Sequence, residues 1–456
     1  MESRPRDIAV LALRDRAGNV SAHLDRLLAE QPLSSQDRAL ARELALGVVR
    51  RRGTLEAVLS AFLKSPARAL PAPLREILHT ALYQMLFLDR VPNFAAVNEA
   101  VDQTLRFHHR RKSGLVNGVL RHVSREVSEA AAQAGEQAAD VLPLGPRAHR
   151  RFKRAVFPDP GSNPVGYLAA AMSLPRVLAV RWLKNLGSLR KAADVAMHAN
   201  LRPPLILRVN RLRSDLQSVA AALVEQGVEA VAHANGHSLV LADWVNVREL
   251  VAFRQGLVQP QDPSATAVVE AAGPKPGMRV LDLCAAPGTK TTHLGELMNN
   301  SGEIVAVDVF PDRLEKVKSN CARMGVGIVA PMLADKVGGL DPHSFDLVLV
   351  DAPCSNTGVL ARRPEARWRF TEEGLNRLAD DQRKLLRIGE RFVRPGGRLV
   401  YSTCSIEPEE NQQVAKWLAG RHGNVRMTEE RLSLPAGADA PDQWHDGGYY
   451  AIFSVR

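Results

Sequence analysis

The sequence has 456 residues but only four cysteines, and none of them stands in a C-x-x-C pair or in another spacing typical of metal ligands. So few cysteines argue against a disulfide-stabilised secreted domain and give no indication of a zinc site. The chain also lacks an apolar run of about 18 or more residues and a charged-then-apolar leader. We therefore expect a soluble cytoplasmic protein with reduced thiols, no membrane partner and no metal.

The second half of the chain lacks an excess of positive charge, although the whole chain carries a formal net charge of +11. Residues 1–250 contain 35 Lys and Arg against 23 Asp and Glu, whereas residues 251–456 contain 25 against 26. This imbalance indicates an anionic partner, and if that partner is nucleic acid the first half holds its phosphates. A protein that is merely basic, with no such partner, is the alternative.

Residues 5–130 show helical periodicity throughout. Apolar residues recur every three or four positions in QDRALARELALGVVRRRGTLEAVLSAFL, PAPLREILHTALYQMLFL and NFAAVNEAVDQTLRF. Helix starts are marked by Ser35, by Pro71 and Pro73, and by Asn93. This pattern predicts an all-α helical bundle.

The pattern changes after residue 130. Residues 131–165 are rich in proline, glycine and arginine, and we interpret them as an exposed linker or insertion. Within them, RRFKRAVF is either a basic RNA contact or a solvated loop, and we favour the loop. Residues 166–255 alternate helical segments with short β-like runs, which predicts a small α+β unit.

From residue 256 onward, short aliphatic runs alternate regularly with amphipathic helical segments. Examples are RVLDLC followed by TTHLGELM, and EIVAVD followed by DRLEKVKSNCARMG. The alternation predicts an α/β domain with parallel βαβ units and a doubly wound sheet. In such a sheet, ligands bind beyond the carboxyl ends of the strands.

Two phosphate-binding fingerprints are missing at the first of these strand ends. The segment LDLCAAPGTKTTHL has neither the G-x-x-x-x-G-K-[ST] nor the G-x-G-x-x-G spacing. Its turn at Gly288 still allows close approach of the backbone, and Asp308 at the second strand end is suited to ribose hydroxyls. Asp335 and Asp351 follow the third and fourth strands. S-adenosylmethionine, which has a ribose but no phosphate, fits this pattern; the alternative is that these aspartates only cap helices.

Two cysteines stand in small-residue turns at strand ends, Cys354 in VDAPCSNTG and Cys404 in VYSTCSIEPEEN. Cytosine C5 is too weak a nucleophile to take a methyl group unaided, but addition of a thiolate to C6 turns C5 into a reactive enamine carbon. One thiol would attack while the other assists elimination. The alternative is that a buried cysteine acts only as a small hydrophobe, which is our interpretation of Cys284 and Cys321.

Across residues 253–453 the chain resembles the RNA (cytosine-5) methyltransferase family, also called the NOL/NOP2/Sun or Fmu family. The matching segments, in order, are FRQGLVQPQDPSA, CAAPGTK, DAPCSNTGV and RPGGRLVYSTCSIEPEEN. The resemblance implies a Rossmann-like class I methyltransferase domain with Cys404 as the nucleophile and Cys354 aiding product release. It also implies Asp351 near the pyrimidine edge and Lys290 near the catalytic pocket. The cofactor S-adenosylmethionine would be bound by Cys284, Ala285, Ala286, Pro287, Gly288, Thr289, Lys290, Asp308, Asp335 and Asp351.

Two residues depart from the family's motifs. Thr289 replaces the usual second glycine of A-P-G-G-K, which adds a Cβ where the backbone nears the ligand. Asn356 stands where glycine is frequent in P-C-S-G-T-G, and asparagine tolerates the left-handed conformation. The turn after Cys354 is therefore expected to persist.

The front of the chain resembles the NusB family of RNA-binding factors. The matching segments are DRALARELALGVVRRRGTLEAVL, LREILHTALYQMLFLDRVPNFAAVNEAVD and SGLVNGVLRHV. LRPPLILRVNRLRSDLQSVAAALVEQGVEA resembles the small RRM-like subdomain that precedes the catalytic domain. Together they resemble the bacterial 16S ribosomal RNA methyltransferase B subgroup. The implied domains are a NusB-like domain (5–130), a linker (131–165), an RRM-like subdomain (166–255) and a methyltransferase domain (256–456).

The resemblance implies methylation of C5 of a cytosine in small-subunit ribosomal RNA, with the target base unstacked into the site. Arg367 and Trp368 are candidates for clamping or stacking on nucleotides, although Trp368 is equally suited to filling the core. We expect a monomer. The same chemistry on transfer RNA or another ribosomal RNA site, or a noncatalytic RNA-binding assembly factor, are the alternatives.

Overall fold

The computed structural model describes residues 4–14, 19–64, 67–107, 109–131, 136–243, 245–421 and 423–456. The chain divides into two compact units. Unit 1 comprises Met1–Leu201 with Leu360–Phe370, and unit 2 comprises Arg202–Val359 with Thr371–Arg456. Within the described ranges, no helix is both long and apolar enough to cross a membrane.

The secondary structure is mixed, with helices dominating the first 200 residues. The helices are α1 Pro5–Leu13, α2 Val20–Ala29, α3 Ser35–Phe62, α4 Ala72–Phe87, α5 Asn93–Arg106, α6 Ser113–Glu126, α7 Pro164–Ala170, α8 Arg176–Leu186, α9 Leu189–Asn200, α10 Leu216–Val224, α11 Val251–Arg254, α12 Pro263–Ala272, α13 Thr289–Leu297, α14 Pro311–Met324, α15 Ala366–Arg369, α16 Glu372–Phe392 and α17 Gln412–Ala419. The strands are β1 Val141–Gly145, β2 Ala148–Arg151, β3 Ile206–Val209, β4 Ala230–Ala232, β5 Ser238–Leu241, β6 Val258–Pro260, β7 Arg279–Asp282, β8 Glu303–Asp308, β9 Val329–Leu333, β10 Phe345–Asp351, β11 Val393–Thr403, β12 Val425–Ser433 and β13 Gly448–Val455.

Unit 1 begins with the predicted helical bundle, which the structure confirms. Ser34 caps α3, because its hydroxyl accepts a 3.1 Å hydrogen bond from the backbone N–H of Asp37. Pro71 and Pro92 directly precede α4 and α5, where a fixed φ and a missing N–H cost the helix nothing. These starts lie within one residue of those that the sequence predicts.

The segment predicted to be an exposed linker contains an antiparallel hairpin, β1–β2. Leu142 is fully buried, so the hairpin has an apolar side to pack. The basic run RRFKRAVF is not a solvated loop at its first two positions. Arg150 is buried and donates to the backbone oxygen of Leu86 at 3.1 Å, and Arg151 pairs with Asp140 at 2.6 Å. These arginines stabilise the hairpin.

The segment Leu360–Phe370 belongs to unit 1, although its neighbours in the sequence belong to unit 2. Arg367 is fully buried in it, and burial lowers the pKa of its guanidinium to about 9. The predicted role of Arg367 as a nucleotide clamp is therefore wrong, and the side chain instead fixes the segment. Its guanidinium donates at 2.6–3.2 Å to the backbone oxygens of Arg50, Ser173 and Ala199 and to the side-chain oxygen of Asn200.

Unit 2 starts with a four-stranded antiparallel sheet in the order β4-β5-β3-β6 among the described residues, which confirms a small α+β subdomain. Its extent differs from the predicted 166–255, because α7–α9 belong to unit 1 and β6 lies beyond residue 255. Leu207 and Val209 of β3 point to one side, into the subdomain core. Arg208 lies between them in the sequence and forms a buried ion pair with Glu296 of α13. Because side chains alternate along a strand, β3 contacts its own core and the next domain at once.

The rest of unit 2 is the predicted α/β domain, whose described strands form a seven-stranded sheet in the order β12-β13-β11-β10-β7-β8-β9. The strands from β11 to β9 in this order are parallel, while β13 and β12 are antiparallel additions at one edge. Leu347 and Leu349 of β10 pack with α12 and α13, whereas Val348 and Val350 pack with α16 and α17. Both faces are covered, which explains the unbroken aliphatic runs.

Candidate active site

The two motif cysteines meet at the carboxyl edge of the parallel sheet. Strands β10 and β11 are neighbours, and Asp351 at the end of β10 is in register with Ser402. Cys354 follows β10 by three residues and Cys404 follows β11 directly. Their sulfur atoms lie 3.1 Å apart, close enough for one thiol to donate a hydrogen bond to the other. The sequence places the cysteines fifty residues apart, but the sheet brings them into one site.

The surroundings of Cys354 favour its neutral thiol. The hydrogen bond with Cys404, followed by burial and the charge of Cys404, raises the pKa of Cys354 well above its ordinary value. Cys354 is therefore the protonated partner when Cys404 is a thiolate. Asn356, with φ of +62°, donates to the backbone oxygen of Cys354 at 2.8 Å, and its side-chain oxygen lies 3.4 Å from Cys404 Sγ. The residue that departs from the family motif thus contacts both cysteines.

Lys290 and Asp351 form an ion pair beside Cys404. Lys290 Nζ lies 2.7 Å from one carboxylate oxygen of Asp351, and the Ser402 hydroxyl donates to the other at 2.7 Å. Burial lowers the pKa of Lys290. The charge and hydrogen bond of Asp351 raise it, as does the nearby Cys404, and together they outweigh burial, so the pKa is raised overall. Lys290 thus stays protonated at neutral pH, and it supplies positive charge rather than a base.

These groups line a small pocket of about 40 Å³. Lys290, Asp351 and Cys404 contribute to it, together with Gly447 and Gly448 of the chain leading into β13. An added Cβ at Gly447 would lie 2.8 Å from Ile406 and 2.9 Å from Gly358, so the close approach of these segments requires a glycine. The pocket presents a thiol, an ammonium and a carboxylate to one small volume.

The turn that carries Cys354 is fixed by a buried carboxylate that the sequence analysis did not identify. Glu410 is fully buried and accepts hydrogen bonds from the backbone N–H of Ser355 at 2.8 Å, from the Ser355 hydroxyl, and from Gln382 at 3.0 Å. Gln382 also donates to the backbone oxygen of Pro353. The only sequence signal was the position of Glu410 in the EPEEN end of the second cysteine motif.

Asp282, at the end of β7, is a second residue that the sequence analysis missed. Its carboxyl group is buried and accepts a 2.8 Å hydrogen bond from the Thr291 hydroxyl. Burial raises its pKa to about 7; the Thr291 hydrogen bond works against this shift, and the nearby Asp351 carboxylate adds to it. The carboxyl group of Asp282 therefore titrates near neutral pH at the carboxyl end of β7, the strand next to β10.

The predicted cofactor segment forms the turn between β7 and α13. Gly288 has φ of +95°, and an added Cβ would lie 3.1 Å from Val317 Cα, so this left-handed turn packed against α14 requires a glycine. Asp308, at the end of β8, accepts 3.3 Å hydrogen bonds from the backbone N–H groups of Ala286 and Phe310. Arg313 Nη2 also lies 3.3 Å from Asp308, which is buried. A carboxylate has about four acceptor positions, so Asp308 retains about one for a ribose hydroxyl.

The remaining residues of the segment lie around this turn. Burial raises the pKa of Cys284, which leaves it a neutral thiol and a passive neighbour. Thr289 begins α13, and its hydroxyl accepts a 3.5 Å hydrogen bond from Gln259. Asp335 is exposed in the helical turn Ala334–Gly339 after β9. A glycine turn, a carboxylate at the next strand end and an exposed carboxylate beyond it fit S-adenosylmethionine.

No group of three or more His, Cys, Asp or Glu side chains that could hold a metal ion occurs among the described residues. The fold and the site together define a class I methyltransferase in which two cysteines lie side by side at the carboxyl edge of the sheet. Three family models match the chain: the 16S rRNA methyltransferase RsmB/F model at residues 269–449, the NusB family at 3–125, and the RsmF/B-like ferredoxin-like domain at 174–248.

Curated relatives match almost the entire chain. The probable ribosomal RNA small subunit methyltransferase B of Synechocystis is 34% identical, with 95% of this chain and 92% of the relative covered. The ribosomal RNA small subunit methyltransferase B of Klebsiella pneumoniae is 34% identical, with 94% and 92% covered. The crystal structure of PH0851 covers 100% of this chain and 99% of its own, with 25% identity and a TM-score of 0.75. The chain belongs to the ribosomal RNA small subunit methyltransferase B family.

Proposed function

We propose that this protein transfers the methyl group of S-adenosylmethionine to C5 of a cytosine in small-subunit ribosomal RNA, through a covalent bond between Cys404 and C6. The observation that carries the proposal is the 3.1 Å separation of the two sulfur atoms beside the Lys290–Asp351 pair. The names of the relatives from Synechocystis and Klebsiella pneumoniae support the methyl transfer and the RNA substrate.

In the first step, the Cys404 thiolate forms a bond to C6, and the electron pair of the C5–C6 double bond moves toward C5 and the ring. Asp351 accepts a hydrogen bond from the exocyclic amino group, and the Lys290 ammonium offsets the negative charge that develops on the ring. When bound, S-adenosylmethionine would supply an electrophilic methyl carbon to C5, with the neutral thioether of S-adenosylhomocysteine as the leaving group. The methylated ring is then still attached to Cys404, and C5 carries both a methyl group and a hydrogen.

In the second step, Cys354 loses its own proton to solvent and, as a thiolate, removes the C5 proton; the C5–C6 double bond re-forms, and Cys404 leaves as a thiolate. The state of Cys404 controls when Cys354 can act. While Cys404 is a thiolate, its hydrogen bond and charge raise the pKa of Cys354. Once Cys404 is a neutral thioether, this cause is gone and Cys354 ionises more easily. The second thiol thus becomes a base after the first has reacted.

The test is methyl transfer from labelled S-adenosylmethionine to unmodified 16S ribosomal RNA, with digestion and mass analysis of the nucleosides. We expect label in 5-methylcytidine with the wild type and with Cys321→Ala, the matched control in a buried thiol of α14, and none with Cys404→Ala. Label in another nucleoside, or turnover by Cys404→Ala, contradicts the chemistry. Transfer only to transfer RNA contradicts the substrate, and RNA binding without any transfer indicates an assembly factor.

A further inference from the structure

A cavity of about 660 Å³ lies in unit 1. It is far larger than the pocket beside Cys404, which lies in unit 2. The cavity is lined by residues of α1, α2, α3 and α4 and by the segment Leu360–Phe370. Small-molecule sites have volumes of roughly 300–1,000 Å³, so a nucleotide fits this space. The proposed methyl transfer makes no use of it. The charged and aromatic residues of its lining are Arg14, Arg52, Arg75, Arg369, Glu76, Glu365 and Trp368.

The cavity lining carries more positive than negative charge, with four guanidinium groups against two carboxylates. Arg75 pairs with Glu76 at 3.4 Å, and the charge of Arg52 also acts on Glu76. Among the described residues, no carboxylate forms an ion pair with Arg14, Arg52 or Arg369. Arg14 and Arg369 are exposed and Arg52 is half-buried, so a ligand can reach them. Guanidinium groups bind phosphate oxygens with two parallel hydrogen bonds, and they are more weakly hydrated than ammonium groups. The cavity is therefore suited to a phosphate.

Trp368 provides a fixed aromatic wall. Its indole Nε1 donates a 2.8 Å hydrogen bond to the backbone oxygen of Val49, and the guanidinium of Arg52 lies 6.0 Å from its ring centroid. The preceding residue in the chain, Arg367, is held by four hydrogen bonds to oxygen atoms. Because the indole of Trp368 is itself hydrogen-bonded to the backbone and the chain beside it is fixed, its ring loses little entropy when a base stacks on it.

Two buried carboxylates complete the lining. Glu76 is 4% exposed and Glu365 is 9% exposed. Burial raises the pKa of Glu76, but His79, Arg52 and Arg75 together lower it overall, so the carboxylate is ionised. Ionised carboxylates are acceptors only, and among nucleic-acid groups they pair with exocyclic amino groups and ring N–H donors. The lining thus offers partners for a base edge as well as for a phosphate.

We propose that this cavity binds one unpaired nucleotide of the RNA substrate, with the base on Trp368, the phosphate among Arg14, Arg52 and Arg369 and the donor edge of the base toward the carboxylates. The inference deepens the proposed function and rests on RNA being the substrate. A free mononucleotide has the same chemistry. RNA is favoured because the excess of positive charge lies in the first 250 residues and two of the arginines are open to a passing strand.

The experiment compares the affinity for deproteinised, unmodified 16S ribosomal RNA, by filter binding, across matched variants. Trp368→Ala is expected to weaken binding about tenfold, as loss of a stacked base does elsewhere, and Trp368→Phe to keep most of the affinity. Arg52→Gln is expected to weaken binding at low salt and to reduce its salt dependence. The control is Trp417→Ala, since Trp417 is also half-buried beside two arginines but lies outside the cavity lining.

A single-turnover methyl transfer assay at saturating RNA separates this inference from the proposed chemistry. The rate is expected to stay within about twofold of the wild type in the Trp368 and Arg52 variants. If the wild type transfers no methyl group, the affinity comparison still decides the cavity's role. Should Trp368→Ala fail to fold, as seen by circular dichroism, Arg52→Gln decides it alone.

Three results would overturn the assignment. The first is equal RNA affinity for Trp368→Ala and Trp417→Ala, which would show that no base stacks in the cavity. If Trp368→Ala does not fold, equal affinity for Arg52→Gln and the wild type would show that no nucleotide binds there. Unchanged affinity for naked RNA with weakened affinity for small ribosomal subunits would identify a protein occupant. Quenching of Trp368 fluorescence by micromolar guanosine or adenosine monophosphate would identify a free nucleotide, since a single nucleotide of a long strand is expected to bind only near millimolar concentrations by itself.

Discussion

Two regions of the molecule differ in how their charged groups are paired. One is the proposed catalytic edge of unit 2, formed by Lys290, Asp351, Cys354, Cys404 and Glu410, and the other is the cavity of unit 1. At the catalytic edge the charged groups have partners: Asp351 is held by Lys290 and Ser402, and Glu410 by Ser355 and Gln382. In the cavity, four guanidinium groups outnumber the carboxylates of Glu76 and Glu365, and among the described residues no ion pair holds Arg14, Arg52 or Arg369. Chemistry needs reacting groups in a fixed geometry, whereas binding of a polyanion needs charges that are still available.

The difference suggests a division of work between the two units. Changes at the catalytic edge should alter the rate of methyl transfer and leave RNA affinity intact. Changes in the cavity should do the reverse. A variant of the catalytic edge that changed RNA affinity as well as the rate of methyl transfer would contradict this division between the two units.

The largest effect is expected from Cys354→Ala. Without the base that removes the C5 proton, steady-state turnover should fall at least about a hundredfold, in the range that general-base catalysis contributes. The methylated RNA should remain attached to Cys404 and appear as a slowly migrating band on a denaturing gel. RNA affinity before reaction should equal that of the wild type.

The control for this adduct is the double variant Cys354→Ala with Cys404→Ala, which should form no slow band. An adduct in the double variant would assign the covalent bond to another residue. Normal turnover by Cys354→Ala would remove this thiol from the mechanism, despite its contact with Cys404.

A smaller effect is expected from Glu410→Gln. The amide keeps the shape but can accept through only one oxygen, so the three donors around Glu410 are no longer all satisfied and the Cys354 turn loosens. We expect the single-turnover rate to drop about tenfold, with RNA affinity unchanged. Glu373→Gln, at an exposed position in the first turn of α16, is the matched control. Equal rates for both variants would show that the turn keeps its geometry without the Glu410 charge.

The sequence predicted the parts of this molecule that depend on local pattern and strand order. Helix starts near Ser35 and Asn93 follow from caps and prolines, and Cys354 and Cys404 could be placed at one sheet edge because both follow aliphatic runs. The α/β alternation was sufficient for the parallel core, although it did not indicate the antiparallel edge strands β12 and β13.

What the sequence could not show are contacts between distant segments. Glu410 is an ordinary acidic residue until folding brings it to Ser355, 55 positions earlier in the chain. Arg367 stands in the basic run ARWR, which is typical of a surface, yet it is buried because four oxygen atoms from three other segments converge on it. The buried hairpin β1–β2 was hidden in the same way by a Pro- and Arg-rich composition.

The smallest effect is expected from Asp282→Asn, and it concerns stability. The pKa of Asp282 is about 7 in the folded protein and near 3.8 when exposed, so the folded state binds the extra proton. Its contribution to stability is complete below the lower value and is lost as the pH rises through 7. Asparagine accepts the same Thr291 hydrogen bond without titrating. Between pH 5.5 and 8.5 the wild type should therefore lose about 2 kcal/mol of unfolding free energy relative to Asp282→Asn in urea. Parallel pH curves for the two proteins would mean that Asp282 is already ionised at pH 5.5 and that its burial does not raise its pKa to near neutrality.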